Sequence, residues 1–169
     1  MKKVFGIVGW SGSGKTDLIC RIIKNLKKKK ICVASIKHSH HNFEIDKEGK
    51  DSFNHLNSGS NEVIIYNEKK FAMISSIQKR KITLENILNK FSNENKIILI
   101  EGMKKNKMPK IEVIRSSIKK PYIFNNDKTV KGIVFDKNES ISKINLPKFH
   151  FSETERISEF ILKYLKNGE

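Results

Sequence analysis

A chain of 169 residues suits one domain able to bury its own core, and 37% apolar with 31% charged residues excludes a disordered segment. Lys and Arg outnumber Asp and Glu by 34 to 18, a formal net charge of +16, yet only Arg21, Arg80, Arg115 and Arg156 are arginines. The excess therefore reads as a solvated Lys-rich surface, and a nucleic-acid partner is not expected.

In chain order, Val4–Val8 is a nearly continuous apolar run, the pattern of a parallel strand covered on both faces. A glycine-rich turn follows. Leu18, Ile19, Ile22, Ile23 and Leu26 then recur at helical spacing, with Asp17 in the first turn and Lys27–Lys30 at the end, as the helix dipole favours. Ile31–Ile36 predicts a second buried strand, and the polar, His-rich Lys37–Lys50 a functional loop. A short helix over Asp51–Asn57 should stop at Gly59. Val63–Tyr66 and Phe71–Ile74 have the spacing of a hairpin, whose edges and apolar faces suggest a dimer contact. Thr83 is placed to cap a helix bearing Ile87, Leu88 and Phe91. Ile97–Ile100, Ile111–Ile114 and Val130–Phe135 predict further strands. Ser152 and Glu155 have capping-box spacing ahead of a final helix with Ile157, Phe160, Ile161, Tyr164 and Leu165 on one face. Cys20 and Cys32 form no CxxC pair and are expected to be buried free thiols of a reducing compartment. No apolar run approaches the ~20 residues of a membrane span, and Met1–Lys3 leads straight into a strand, so a cytoplasmic protein without a membrane partner is expected. Strands alternating with helices predict a single α/β domain over residues 1–169, with a mainly parallel sheet.

The motif that carries chemistry is Gly9-Trp10-Ser11-Gly12-Ser13-Gly14-Lys15-Thr16, a GxxxxGK[ST] match between a strand and an amphipathic helix. In such a P-loop, glycines let successive N–H groups turn toward phosphate oxygens, and the helix N-terminus adds positive charge. Gly9, Ser11, Gly12, Ser13, Gly14, Lys15, Thr16 and Asp17 are the expected nucleotide-binding residues. Lys15 should reach the β- and γ-phosphates, and the Thr16 hydroxyl should ligate Mg²⁺. Glu101, ending the Ile97–Ile100 strand, stands where a second metal-binding carboxylate belongs; the competing reading is an acidic residue that merely ends a strand. Asp46 is a further candidate ligand, or else a solvated loop residue. Lys37 follows a strand directly and should stand at the carboxyl edge of the sheet, where open α/β sheets bind ligands. His38, His40 and His41 suggest three roles: contact with phosphate or an anionic substrate, polar loop packing, or a transition-metal site, although their spacing fits no closed zinc site.

The stretch Ile36-Lys37-His38-Ser39-His40-His41-Asn42-Phe43-Glu44-Ile45-Asp46, with Gly49-Lys50-Asp51-Ser52, resembles the lysine-histidine loop of the MobB-type molybdopterin-guanine dinucleotide biosynthesis adapter proteins. Ile100-Glu101-Gly102 followed by Pro109-Lys110-Ile111-Glu112-Val113 resembles that family's acidic strand end and the segment after it, and Leu146–Leu165 its C-terminal strand-to-helix passage. The chain departs from the pattern at Asn42, where a small residue is expected. The guanine signature NKxD is also absent; Asn125-Asn126-Asp127-Lys128 holds its letters in the wrong order. The resemblance implies a P-loop NTPase-type three-layer sandwich with an added β-hairpin. It also implies a homodimer that binds GTP and Mg²⁺, with weak GTPase activity in which Lys15 and Glu101 take part. The implied partners are the molybdenum cofactor guanylyltransferase, which attaches GMP to molybdopterin, and molybdopterin itself. The alternative on residues alone is a P-loop small-molecule kinase using ATP, against which stand the scattered arginines.

Overall fold

Short apolar runs rich in β-branched residues become the strands of one sheet, and the amphipathic stretches between them become helices. The computed structural model describes residues 2–39, 43–77, 82–137 and 144–167. In chain order they form β1 (Lys3–Val8), α1 (Lys15–Lys28), β2 (Val33–Lys37), α2 (Asp51–Asn57), β3 (Glu62–Asn67), β4 (Lys70–Ser75), α3 (Leu84–Leu88), β5 (Ile97–Glu101), β6 (Lys110–Val113), β7 (Val130–Phe135), β8 (Lys148–His150) and α4 (Thr154–Asn167). They fall into two compact units, one from Met1–His38 and Phe91–Glu169, the other from Ser39–Lys90.

The first unit holds a six-stranded sheet in the order β2-β5-β1-β6-β7-β8, with every pairing parallel. The expected α/β architecture, mainly parallel sheet and added hairpin are all present. β1 lies between β5 and β6, in register Ile7 with Glu101 and Val8 with Glu112, so three strands end along one edge. One face of the sheet packs Phe5, Ile7, Leu99, Ile111 and Val134 against Leu18, Ile22 and Leu26 of α1 and Ile157 and Ile161 of α4. Phe5 also meets Phe160 edge-on at 6.4 Å.

The opposite face of β6 holds two charged side chains that the solvent does not reach. Lys110 is 0% and Glu112 1% exposed. The Lys110 ammonium donates to the Lys104 carbonyl at 2.8 Å, to the Asn106 carbonyl, and to Asp127 Oδ2 at 2.8 Å. All its donors thus have acceptors, as a buried ammonium requires. Glu112 accepts from the N–H groups of Ile123 and Phe124, both at 2.9 Å, and so caps a 3-10 turn at Ile123–Asn125. Burial pushes the Glu112 carboxyl above the usual range, although these two bonds and the charge of Lys104 oppose it.

In the second unit, β3 and β4 form the expected hairpin, with Val63 opposite Ile74 and Tyr66 opposite Phe71. Ile64, Tyr66 and Phe71 are 59%, 81% and 74% exposed. Thr83 caps α3 in a capping box completed by Asn86, and Phe91 lies beyond the helix end.

Three local expectations are corrected. β2 is an edge strand, and of its residues only Ala34 is buried, because β5 is its one neighbour. Cys20 and Cys32 are exposed free thiols; Cys20 lies off the apolar stripe of α1, and Cys32 precedes β2. Ser152 and Glu155 make no capping box: α4 starts at Thr154, the Ser152 hydroxyl lies 2.7 Å from His150 Nδ1, and Glu155 faces Lys29 at 3.8 Å. Glu153 instead reaches back to the His150 N–H at 2.7 Å. The strand β8, too short to carry a periodic pattern, completes the sheet at its far edge.

Candidate functional site

Past Val8 the chain must reverse within a few residues to start α1, and glycines make the turn possible. At Gly9 (φ +153°) a Cβ would stand 2.5 Å from the Val113 carbonyl oxygen and 2.6 Å from Ser13 Oγ. At Gly14 (φ +89°) it would meet Arg115 Nη2 at 2.8 Å and the Phe151 ring at 3.0 Å. Gly14 is the N-cap of α1 and offers no side-chain acceptor. The first N–H groups of the helix, those of Lys15, Thr16 and Asp17, therefore lack helical partners and face the loop with the positive end of the dipole. Ser11 and Gly12 are exposed in the turn. Ser13 is buried, and its Oγ has no hydrogen-bond partner among the described residues.

Lys15 closes the loop on itself, its ammonium donating to the Trp10 carbonyl at 2.8 Å. Burial lowers the pKa of Lys15; the charges of Lys104 and Lys37 add to that, and Glu101 opposes it. Thr16 Oγ1 lies 2.9 Å from Glu101 Oε1 and 3.0 Å from Oε2. The parallel pairing of β1 with β5 sets this contact, because both strands deliver their carboxyl ends to the same edge. The Lys37 ammonium, at the end of β2, is 3.9 Å from Glu101 Oε1. The sheet therefore brings together Lys15, Thr16, Glu101 and Lys37. His38 joins them through its main chain, its N–H donating to the Glu101 carbonyl at 3.0 Å. Asp17 turns its carboxylate to Arg21 at 3.0 Å. Asp46 belongs to the second unit, where Oδ1 accepts from the Lys47 N–H at 3.0 Å. His40 and His41 lie outside the described residues.

The Thr16 hydroxyl and the Glu101 carboxylate are hard oxygen donors of the kind Mg²⁺ takes. Among the described residues no cluster of three or more His, Cys, Asp or Glu side chains is placed to hold a metal ion. An ion here would draw its remaining ligands from phosphate and water, which suits Mg²⁺ and not a structural zinc.

Three residues not singled out as site residues in the sequence complete the surroundings. Trp10 anchors the loop, its Nε1–H donating to the Pro121 carbonyl at 2.8 Å. The Lys104 ammonium lies 3.7 Å from the centre of the Trp10 ring. Arg115 donates from Nε to the Ser13 carbonyl at 3.1 Å and stacks at 3.8 Å on Phe151, whose ring also meets the Arg21 guanidinium at 4.5 Å. Position at a strand end was the one available signal for Arg115. Lys104 is hidden in its sequence by Lys105 and Lys107.

Residues 4–136 match the family model described as "Molybdopterin guanine dinucleotide synthesis protein B" (MobB). A molybdopterin-guanine dinucleotide biosynthesis adapter protein of Haemophilus influenzae is 40% identical over 119 residues, 70% of this chain and 66% of that protein. One from Escherichia coli is 29% identical over 117 residues, 68% of this chain and 67% of that protein. The match thus spans about two thirds of the length of these relatives. The crystal structure of Bacillus subtilis MobB aligns with a TM-score of 0.75 at 26% identity, over 98% of this chain and 99% of that one. A further MobB crystal structure aligns at 0.71 and 28% identity, over 97% and 99%.

Proposed function

We propose a function from the family to which this chain belongs, that of molybdopterin guanine dinucleotide synthesis protein B: the chain binds GTP with Mg²⁺ at Gly9–Thr16, hydrolyses it slowly, and assists attachment of GMP to molybdopterin. The observation that carries the nucleotide reading is the meeting of the Thr16 hydroxyl with the Glu101 carboxylate beside Lys15 and an uncapped helix N-terminus. Loop amides and Lys15 would hold the phosphate oxygens, and Thr16 and Glu101 the metal. When bound, the ion neutralises charge on the β- and γ-phosphates. Lys15 and the amides stabilise charge that grows on the β–γ bridge as water attacks. Arg21 and Arg115 are both committed to Phe151 and to further bonds, so neither acts as an arginine finger, which supports a slow basal rate. The same commitment speaks against the kinase reading, which needs arginines at a phosphoryl acceptor.

The relatives named adapter proteins support an accessory role beside the guanylyltransferase that transfers GMP. The exposed apolar residues of the β3–β4 hairpin support a homodimer formed through that hairpin. Reconstitution tests the adapter role. Adding the chain to the guanylyltransferase, molybdopterin and limiting GTP should accelerate formation of the dinucleotide, and Lys15→Ala should not. No acceleration by the wild-type chain would defeat the adapter role.

A further inference from the structure

The segment that follows Glu101 is built in an unusual way. Gly102 has φ +92° and Met103 φ +55°, and a left-handed methionine is strained backbone that its surroundings must hold in place. Three sets of bonds do so. The Gly102 N–H donates to the Ile7 carbonyl at 3.0 Å, and the Asn106 N–H to the Met103 carbonyl at 2.9 Å. The fully buried Lys110 ammonium holds the carbonyls of Lys104 and Asn106 and is itself tied to Asp127. The outcome of this bracing is the position of one side chain. Lys104 is turned back toward the P-loop, with its ammonium on the face of Trp10.

Two lysines therefore converge on the same loop residue. Lys15 Nζ is on the Trp10 carbonyl at 2.8 Å, and Lys104 Nζ is on the Trp10 ring at 3.7 Å. Lys15 is the residue that serves the β- and γ-phosphates in such loops, and Lys104 shares Trp10 with it from the ring side. Burial lowers the pKa of Lys104, with the charge of Glu112 opposing, so its ammonium gains from an anionic partner.

We propose that Lys104 is a second phosphate-contacting lysine of this site, parked on the Trp10 ring in the free protein and transferred to the terminal phosphate when a nucleoside triphosphate binds. This rests on the reading of Gly9–Thr16 as a triphosphate site. It assigns to Lys104 the distinction between triphosphate and diphosphate, and it makes Trp10, the chain's single tryptophan, a reporter of that distinction.

The test compares the wild-type chain with Lys104→Met and Lys104→Arg. Binding of GTP and GDP with Mg²⁺ is followed by displacement of a ribose-labelled fluorescent nucleotide, and Trp10 emission is recorded in parallel. Losing one charge-assisted contact, Lys104→Met should bind GTP roughly tenfold to a hundredfold more weakly and GDP almost as the wild type does. Lys104→Arg should recover most of the GTP affinity. In the wild type, Trp10 emission should change with GTP and little with GDP, and Lys104→Met should lose that difference. Unchanged GTP affinity in Lys104→Met, or parallel losses for GTP and GDP, would overturn the assignment. So would a urea midpoint that falls in step with the affinity, which would make Lys104 a support of the loop. A wild-type chain that binds neither nucleotide defeats the triphosphate reading and Lys104 with it; a wild type that binds GTP beside an unaffected Lys104→Met defeats the Lys104 assignment alone.

Discussion

Replacing Lys110 with Met removes a 0% exposed ammonium and retains most of the stem that fills its place. Three acceptors lose their donor: the carbonyls of Lys104 and Asn106, and Asp127 Oδ2. Asp127 keeps two bonds from Thr129, and its side chain is 22% exposed, so water and Thr129 soften its loss. The carbonyls lie in a braced turn and are less free to find water. Each buried acceptor left without its donor costs about 1–3 kcal/mol, so the two carbonyls together lose about 2–6 kcal/mol. With a urea slope of about 2 kcal/mol per molar, the midpoint should fall by roughly 1–3 M. The assay is equilibrium urea unfolding followed by Trp10 fluorescence, which reports on the first unit by itself. Lys110→Met/Asp127→Asn should cost less than the sum of the two single changes, because neither partner is left charged alone. A loss under about 1 kcal/mol for Lys110→Met would refute the reasoning and make the buried ammonium incidental to the fold.

The pH dependence should carry two opposite signatures. Burial pushes Asp127 up, but its bonds from Lys110 and Thr129 and the Lys110 charge outweigh that, so its folded pKa lies below the ordinary 3.8. The stability it contributes is present above about pH 3.8 and lost as pH falls through the folded value; Lys110→Met should weaken that acid loss in a urea series. Glu112 behaves in reverse. With a folded pKa raised above 4.5, it favours the fold at pH below that value and loses this as pH rises through the folded pKa; Glu112→Gln should flatten that segment. At the site, Glu101→Gln should weaken the dependence of GTP binding on Mg²⁺ more than the affinity itself, read by magnesium titration, and an unchanged titration would make Glu101 a strand-end residue. Gly14→Ala places a Cβ 2.8 Å from Arg115 Nη2 at φ +89°, and should lower stability by about 1–2 kcal/mol or more in urea.

Much of this architecture is legible in local pattern. Continuous or nearly continuous apolar runs mark β1, β5 and the Gly132–Phe135 part of β7 because parallel strands covered on both faces leave little polar alternation. The Gly9–Thr16 turn is legible because the chemistry it is read for needs glycines and a lysine in fixed order, and the following helix declares itself by period. β6 was legible as a strand, but not its surroundings. Lys110-Ile111-Glu112-Val113 alternates like a strand with one wet face, yet both charged residues are buried by bonds to segments 4 to 17 residues away in sequence. No period encodes such partners. The position of Glu101 beside Thr16 followed from its place at a strand end, whereas the placing of Lys104 depends on a left-handed Met103, which residue identity does not announce. The mostly apolar Ile31–Ile36 predicts a buried strand; only the strand order reveals that β2 stands at the edge.

Equilibrium binding of GTP and ATP, side by side, with and without Mg²⁺, on the wild-type chain and Lys15→Ala, bears most directly on the central claim. The P-loop reading predicts Mg²⁺-dependent binding that prefers GTP. It also predicts that Lys15→Ala loses at least about 30-fold in affinity while its urea midpoint holds. A Lys15→Ala protein that binds GTP as the wild type does would contradict the site, and a preference for ATP would turn the function toward phosphoryl transfer to a small molecule.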